Sequence, residues 1–155
     1  MTVSHAGPAL HAHDLDAAIA ALRSHGLRVS AARRLVLEAL FAAEGPVSAE
    51  QIAAGVDGRI PPSDLASTYR NLETLEQIGL VRHMHLGHGP GLYRPASDAG
   101  REYLVCEACR TVRAVETVEL EAVRDVIRGA FGLEATFAHF PIVGRCAPCR
   151  EEPGR

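Results

Sequence analysis

The sequence contains no lysine, no long apolar run and no leader-like N-terminus. All 16 basic side chains are arginines, an imbalance that we interpret as coding bias rather than as function. No segment approaches the ~20 consecutive apolar residues that a membrane-spanning helix requires. Residues 1–13 lack the basic and apolar regions of a secretory signal and are predicted to form a flexible tail. These absences predict a soluble, cytoplasmic protein with no membrane partner.

Neither the charge nor the order of polar residues indicates a general polyanion binder or an enzyme. The net charge is −3 and the pI is near 6.2, which excludes overall polybasic character but allows a local basic patch. No serine–histidine–aspartate order and no phosphate-binding glycine loop stands out. Because 47% of the residues are apolar, a folded core is expected. We therefore predict a folded protein that is not an enzyme.

Helical periodicity dominates residues 14–94. Spaced apolar residues and serine caps predict four helices within 14–26, 30–45, 48–56 and 61–80. Two alternating segments around a glycine-rich turn, "LVRHMHL" and "LYRP", predict a β-hairpin after the last helix. Helices followed by a hairpin are typical of a winged helix-turn-helix, in which the last helix enters the major groove. A small helical domain with an appended hairpin is the alternative.

A second pattern begins after a short linker, "PASDAG", at residues 95–100. Strands are predicted in "REYLVC" and "TVRAVE", a helix in "VELEAVRDVIRGAFG" that ends at Gly132, and a long strand in "EATFAHFPIVG". Residues 101–150 would then form a small α/β domain. A domain this short seldom folds stably without a metal ion, disulfides or a partner chain.

Four cysteines form two pairs, Cys106-x-x-Cys109 and Cys146-x-x-Cys149. Two intervening residues allow both sulfurs of a pair to bind one tetrahedral ion, so two pairs predict a closed, structural zinc site. Two disulfides would also use all four cysteines, although a cytosolic location disfavours them. A thiol–disulfide oxidoreductase would leave the second pair unexplained.

The segments "LASTYRNLETLEQIGLV", "YLVCEAC" and "GRCAPC" resemble the ferric uptake regulator (Fur) family of metal-dependent transcription factors, over roughly residues 15–150. The resemblance implies an α+β fold, with a winged-helix DNA-binding domain at 14–94, a hinge at 95–100 and an α/β dimerisation and zinc-binding domain at 101–150. It also implies a homodimer that binds inverted repeats in double-stranded DNA, usually as a repressor of metal-homeostasis or oxidative-stress genes.

Within that family, "VRHMHLGHGPGLYR" and "AHFPIVGRC" are most similar to the nickel-responsive Nur branch. This similarity implies a regulatory nickel site formed by His83, His85 and His139, with zinc or iron as other possible ions. Glu102 and Glu121, together with His139, match the positions of a second metal site in the dimerisation domain of relatives.

One feature departs from the family pattern. The histidine cluster that usually precedes "LVC" is replaced by Gly100, Arg101, Glu102 and Tyr103. Sensing would then rely on the other histidines, respond to zinc, iron or peroxide, or be absent in a protein that binds DNA without a regulatory metal.

The expected DNA contacts lie on the second and fourth helices. Arginines open the second helix and can position phosphates, and an arginine on the fourth can pair with guanine. The predicted contact residues are Arg33, Arg34, Ser67, Tyr69, Arg70 and Asn71, with Ser67, Arg70 and Asn71 on the outward face and Tyr69 also a candidate for the core. Arg82 and Arg94 on the hairpin could touch phosphates. A zinc-stabilised adaptor that binds protein but not DNA is the remaining alternative.

Overall fold

The computed structural model describes residues 10–56, 58, 60–86, 89–98 and 100–151. The chain divides into two compact units, and the boundary in the hairpin falls between His83 and Met84. Within the described residues, the first unit comprises residues up to His83 together with Pro90–Asp98. The second comprises the hairpin tip from Met84 to Gly89 and the residues after Asp98.

Four helices build the first unit, and each begins where the sequence supplies an N-terminal cap. They are α1 (Leu15–Ser24), α2 (Ala31–Ala42), α3 (Ala49–Ala54) and α4 (Leu65–Gln77). The side chains of Asp14, Ser30, Ser48 and Asp64 accept a hydrogen bond from a backbone N–H in the first turn. Such caps satisfy donors that have no partner within the helix. Ser48 and Gln51 form the reciprocal capping box that their spacing predicts.

A three-stranded sheet completes the first unit. The predicted hairpin is present as β2 (Val81–Met84) and β3 (Leu92–Pro95). A further two-residue strand, β1 (Val47–Ser48), pairs antiparallel with β3, which lies between the other two strands. The strand β1 could not be predicted from the sequence, because two residues are too few to show an alternating pattern.

The spacing of Leu65, Tyr69, Leu72 and Leu75 predicts that these four residues form the buried face of α4, but the observed buried face is rotated from it. Leu72 and Leu75 are buried as expected, but Leu65 and Tyr69 are exposed. Thr68, Asn71 and Glu76 take the remaining buried positions, so the inward stripe contains three polar side chains. Hydrophobicity alone placed the stripe incorrectly because these polar residues carry no apolar signal.

The predicted tail is too long at its C-terminal end. Residues 1–9 lie outside the described residues, but Ala12 is buried in the core of the first unit. The N–H of Leu10 donates to the carbonyl oxygen of Gly79 at 2.9 Å. Residues 10 and 12 therefore contribute to the first unit, since small apolar groups gain by leaving water.

The second unit is a three-stranded sheet with two helices. Its elements are β4 (Arg101–Cys106), β5 (Val112–Glu116), a 3-10 turn (Thr117–Leu120), α5 (Glu121–Phe131), β6 (Ile142–Gly144) and α6 (Ala147–Glu151). The central strand β4 pairs antiparallel with β5 and parallel with β6. The prediction of a long strand at 134–144 is wrong, because only its last three residues pair. Pro141, just before β6, has no N–H to donate to a ladder.

Apolar side chains remain exposed on the second unit of the isolated chain. Phe131 is 80% exposed and Val126 69%, and Val118, Leu133 and Phe140 are also open to solvent. Large exposed apolar patches mark interaction surfaces. None of the described helices has both the length and the apolar character needed to cross a lipid bilayer.

Gly55, which follows α3, provides a test of the packing in the first unit. It has a φ of +91°, and a Cβ there would overlap the carbonyl oxygen of Ile60. We expect Gly55→Ala to lower the free energy of unfolding by roughly 1–3 kcal/mol, because both strain and overlap oppose it. Urea denaturation followed by circular dichroism measures the change. Gly45→Ala, where a Cβ meets no atom within 4 Å, is the matched control, and an equal loss in both variants would contradict the packing argument.

Candidate metal centres and nucleic-acid interface

Four sulfurs converge at one end of the second unit. Cys106 ends β4, and Cys109 lies in the turn between β4 and β5. Cys146 immediately precedes α6, and Cys149 lies in its first turn. All four Sγ atoms lie within 4.8 Å of one another, and those of Cys109 and Cys146 are 3.8 Å apart. Sulfurs bound tetrahedrally to zinc at about 2.3 Å would be separated by about 3.8 Å. The cluster therefore fits one zinc ion.

The local backbone favours metal binding at these cysteines. The N–H of Cys146 donates to Sγ of Cys106 at 3.5 Å. Backbone hydrogen bonds, chiefly from Cys109, lower the pKa of Cys106 to about 6. A hydrogen bond between the Cys146 and Cys149 thiols instead raises the pKa of Cys149 to about 12. Complete deprotonation of the cluster therefore depends on a bound cation.

The cysteines are not paired as disulfides. All four are free thiols, and the close approach of Cys109 joins sulfurs from different sequence pairs. The two CxxC pairs are therefore placed to bind one ion as a single ligand set. This set leaves no open coordination position, so a bound zinc ion would be structural rather than catalytic.

Two of the three predicted regulatory histidines lie together in the second unit. The ring centroids of His85 and His139 are 5.6 Å apart, and the N–H of His85 donates to the carbonyl oxygen of His139 at 3.2 Å. Phe140 lies against both rings. The two imidazoles line a cavity of about 470 Å³ together with Glu107 and Arg110. This arrangement supplies two nitrogen ligands of the kind preferred by late divalent transition metals.

The third histidine, His83, belongs to β2 in the first unit. Its Nδ1 makes a hydrogen bond with Oε1 of Glu76. Its ring lies 6.1 Å from that of Tyr93. Because one residue separates His83 from His85, their Cα atoms cannot be more than about 7 Å apart. Glu76 was not identified from the sequence, although an acidic residue on an apolar stripe is a detectable signal of a buried hydrogen-bonded partner.

The two predicted carboxylate ligands are engaged by an arginine. Glu102 is buried and forms an ion pair with Nη2 of Arg124, and Oε2 of Glu121 lies 3.4 Å from Nη1 of the same guanidinium. Arg124 also donates to the carbonyl oxygens of Thr117 and Ala135. Among the described residues, neither glutamate joins His139 in a group of three or more metal-binding side chains. The guanidinium of Arg124 therefore pairs with both carboxylates that were expected to bind a metal ion.

The outward face of α4 differs from the predicted one at Asn71. Asn71 is 8% exposed, and its side chain connects two elements of the first unit. Its Nδ2 donates to the carbonyl oxygen of Ser67, while its Oδ1 accepts from Nε of Arg33 at 3.2 Å. Nη1 of Arg33 also donates to the carbonyl oxygen of Arg28 at 2.7 Å. Asn71 therefore positions Arg33 rather than facing solvent.

The other predicted DNA contacts are at the surface, with one exception. Arg70 and Tyr69 are exposed, and the Tyr69 hydroxyl donates to Oε1 of Glu50 at 2.7 Å. This hydrogen bond raises the pKa of Tyr69 and lowers that of Glu50. Arg34 pairs with Glu38 one turn along α2. The exception is Arg94, which is 2% exposed, so the prediction that it touches phosphates is wrong for this conformation.

Residues 24–139 match the sequence profile of the Ferric uptake regulator family. The chain belongs to this family.

Solved Fur structures share the fold. The ferric uptake regulator of Helicobacter pylori, for which three functional metal-binding sites are described, superposes with a TM-score of 0.69 at 17% identity, covering 92% of this chain and 98% of that one. A manganese-containing ferric uptake regulator of Pseudomonas aeruginosa has a TM-score of 0.64 at 26% identity, covering 83% and 97%. The predicted Fur-type fold is confirmed.

Similar sequences include peroxide-responsive Fur-family repressors. The repressor PerR of Staphylococcus epidermidis is 24% identical over 140 residues, covering 90% of this chain and 93% of that protein. The Fur family comprises metal-responsive transcription regulators that bind DNA as dimers, not enzymes. The prediction of a non-enzymatic role is therefore confirmed, and the oxidoreductase alternative is wrong.

We expect the wild-type protein to contain one zinc ion per chain. Cys146→Ser should contain less zinc and unfold at a lower temperature. The substitution removes one of four thiolate ligands, and metal-binding energy in a small domain is folding energy. Elemental analysis and thermal denaturation measure the two effects. Arg145→Ala is the neighbouring control, because that exposed side chain pairs with Glu107 outside the cluster. Unchanged zinc content in Cys146→Ser would contradict the four-cysteine site.

Proposed function

We propose that this protein is a homodimeric, DNA-binding repressor of metal-homeostasis genes whose affinity for an inverted-repeat operator is controlled by a regulatory divalent metal. The observation that carries DNA binding is the solvent-facing side of α4, where Tyr69 and Arg70 are exposed. Arg33 from α2 is fixed against the same helix through Asn71. A helix with exposed polar side chains and a neighbouring fixed guanidinium suits a major groove flanked by phosphates.

The dimer is supported by the exposed apolar surface of the second unit. Val126 and Phe131 project from α5 into solvent in the isolated chain. A second copy that covers this surface would remove the apolar groups from water, which is the main driving force for permanent association. Two copies related by a twofold axis would present two α4 helices to the two halves of an inverted repeat.

The regulatory metal would bind His83, His85 and His139. Support comes from the adjacency of the His85 and His139 rings and from the position of His83 two residues before His85. Three imidazoles suit nickel, which we favour from the sequence, and also zinc or iron. An ion bound to all three imidazoles would favour one conformation of the protein. If the metal and the DNA both bind this conformation more tightly, each raises the affinity of the protein for the other by linkage.

Peroxide sensing is the second candidate, favoured by similarity to the PerR repressors. In that case, peroxide would lower the DNA affinity of the metal-loaded protein while zinc stays bound to the cysteines. DNA binding that requires nickel and is unaffected by peroxide would support nickel sensing over peroxide sensing. Fluorescence anisotropy with nickel, zinc or iron, with and without peroxide, compares them directly.

We expect nickel to raise the DNA affinity of the wild-type dimer by roughly 5–150-fold, a typical range for coupled sites. His139→Ala should remove this increase, because the ion then loses a ligand. Anisotropy titrations against an operator duplex measure it. His25→Ala is the control, since that ring lies at the end of α1 and bonds to the carbonyl oxygen of Ala21. Metal-dependent binding that persists in His139→Ala would contradict the proposed regulatory site.

We expect Arg70→Ala to weaken operator binding by about 1–3 kcal/mol and to relax specificity at one base pair if the guanidinium reads a base. If it contacts phosphate, affinity should fall for all sequences and the salt slope should decrease by about one. Titrations at several salt concentrations with operator and random duplexes distinguish these results. Arg113→Ala, on exposed β5 of the second unit, is the charge-matched control. Wild-type affinity in Arg70→Ala at every salt concentration would exclude a contact.

A further inference from the structure

Glu76 is a buried carboxylate in the last turn of the helix that carries the proposed DNA contacts. It is only 8% exposed, on the same side of α4 as Leu72 and Leu75. A carboxylate removed from water is costly unless a cation or hydrogen-bond donor compensates it. An apolar residue would satisfy the packing at this position, so the carboxylate requires a specific explanation.

The partner of Glu76 supplies that explanation. Oε1 of Glu76 bonds to Nδ1 of His83, and the histidine is itself partly buried on β2. A carboxylate accepts but does not donate, so the proton of this hydrogen bond belongs to Nδ1. In the neutral imidazole, the lone pair then lies on Nε2, which is the atom through which His83 would bind a metal.

We propose that Glu76 is a positioning residue that holds His83 in its metal-binding tautomer and connects the occupancy of this ligand to α4. The inference rests on the proposed metal site and assigns Glu76 a role outside the coordination sphere. A carboxylate bonded to the second nitrogen of a ligating histidine orients the ring and raises its basicity. Removing such a partner typically weakens metal binding by 10–100-fold.

The same contact provides a physical route from the ion to the DNA-binding surface. Glu76 and Arg70 lie six residues apart on one continuous helix, about 9 Å along its axis. A metal that draws charge from the imidazole strengthens the Nδ1–H···Oε1 bond. That change acts on the end of α4 through one hydrogen bond.

The first test is the nickel affinity of Glu76→Gln, measured by competition with a chromophoric chelator. The amide has the same shape but no charge, so we expect affinity to fall by roughly 10–100-fold. Glu73→Gln is the matched control, since it lies on the exposed side of the same helix and should retain wild-type nickel affinity. Equal nickel affinity in Glu76→Gln and the wild-type protein would overturn the proposal.

The second test reads the tautomer directly, and its decisive measurement is made on the wild-type protein. Long-range ¹H–¹⁵N NMR spectra of the metal-free protein should show the His83 ring protonated at Nδ1. Glu76→Gln should shift the ring toward the Nε2-protonated form. Protonation of neutral His83 at Nε2 in the wild-type protein would overturn the proposal whatever the behaviour of the variant.

A third variant separates this inference from the proposed function on which it rests. His83→Ala should lose the regulatory nickel ion while keeping zinc on the cysteines. If His83→Ala binds nickel as tightly as the wild-type protein, the histidine site itself is wrong and the role of Glu76 falls with it. If His83→Ala loses nickel but Glu76→Gln keeps wild-type affinity, only the Glu76 inference fails.

Discussion

The convergence of four thiols is the constraint on which the second unit depends. The cysteines join the end of β4 and its following turn to the start of α6, and β6 adds only three parallel pairs to the same sheet. Few buried apolar residues support this unit, while several large ones remain exposed. A single ion bound by all four sulfurs would replace many weak contacts with one strong tether, as is typical of small domains.

Each unit also contains a buried acid with a basic partner. Glu76 bonds to His83 in the first unit, and Glu102 pairs with Arg124 in the second. The two partners differ in chemistry. Imidazole can lose its proton and bind a metal, whereas guanidinium keeps its charge and binds no metal. The histidine pair can therefore take part in signalling, while the arginine pair serves to hold β4, α5 and the segment that contains Ala135 together.

Local sequence signals predicted most of the secondary structure because they have local causes. The capping box at Ser48 and Gln51, the stop after α5 at Gly132 and the hairpin strands all follow from short-range chemistry. The strand predicted at 134–144 failed because pairing depends on a distant partner strand. The prediction that Asn71 faces solvent was wrong for a similar reason, because its hydrogen-bond partner Arg33 is 38 positions away in the chain.

The candidate sites divide in the same way. The cysteine spacing identified all four members of the cluster, because two short motifs encode the ligand geometry. The roles of Glu76 and Arg124 depend on burial and on contacts between separate elements, which no short motif records. Glu102 was expected to be a metal ligand because its position matches one in relatives, but the neighbouring arginine changes its environment.

Arg124 gives the carboxylates of Glu102 and Glu121 a cationic partner that cannot be exchanged for a metal ion from solution. A divalent ion bound between carboxylates leaves when its free concentration falls, and a different ion can then replace it. A guanidinium is covalently attached to the chain, so it neither dissociates nor competes with cellular metal pools. The charge balance around Glu102 and Glu121 is therefore fixed by the amino-acid sequence and does not depend on the supply of metal ions.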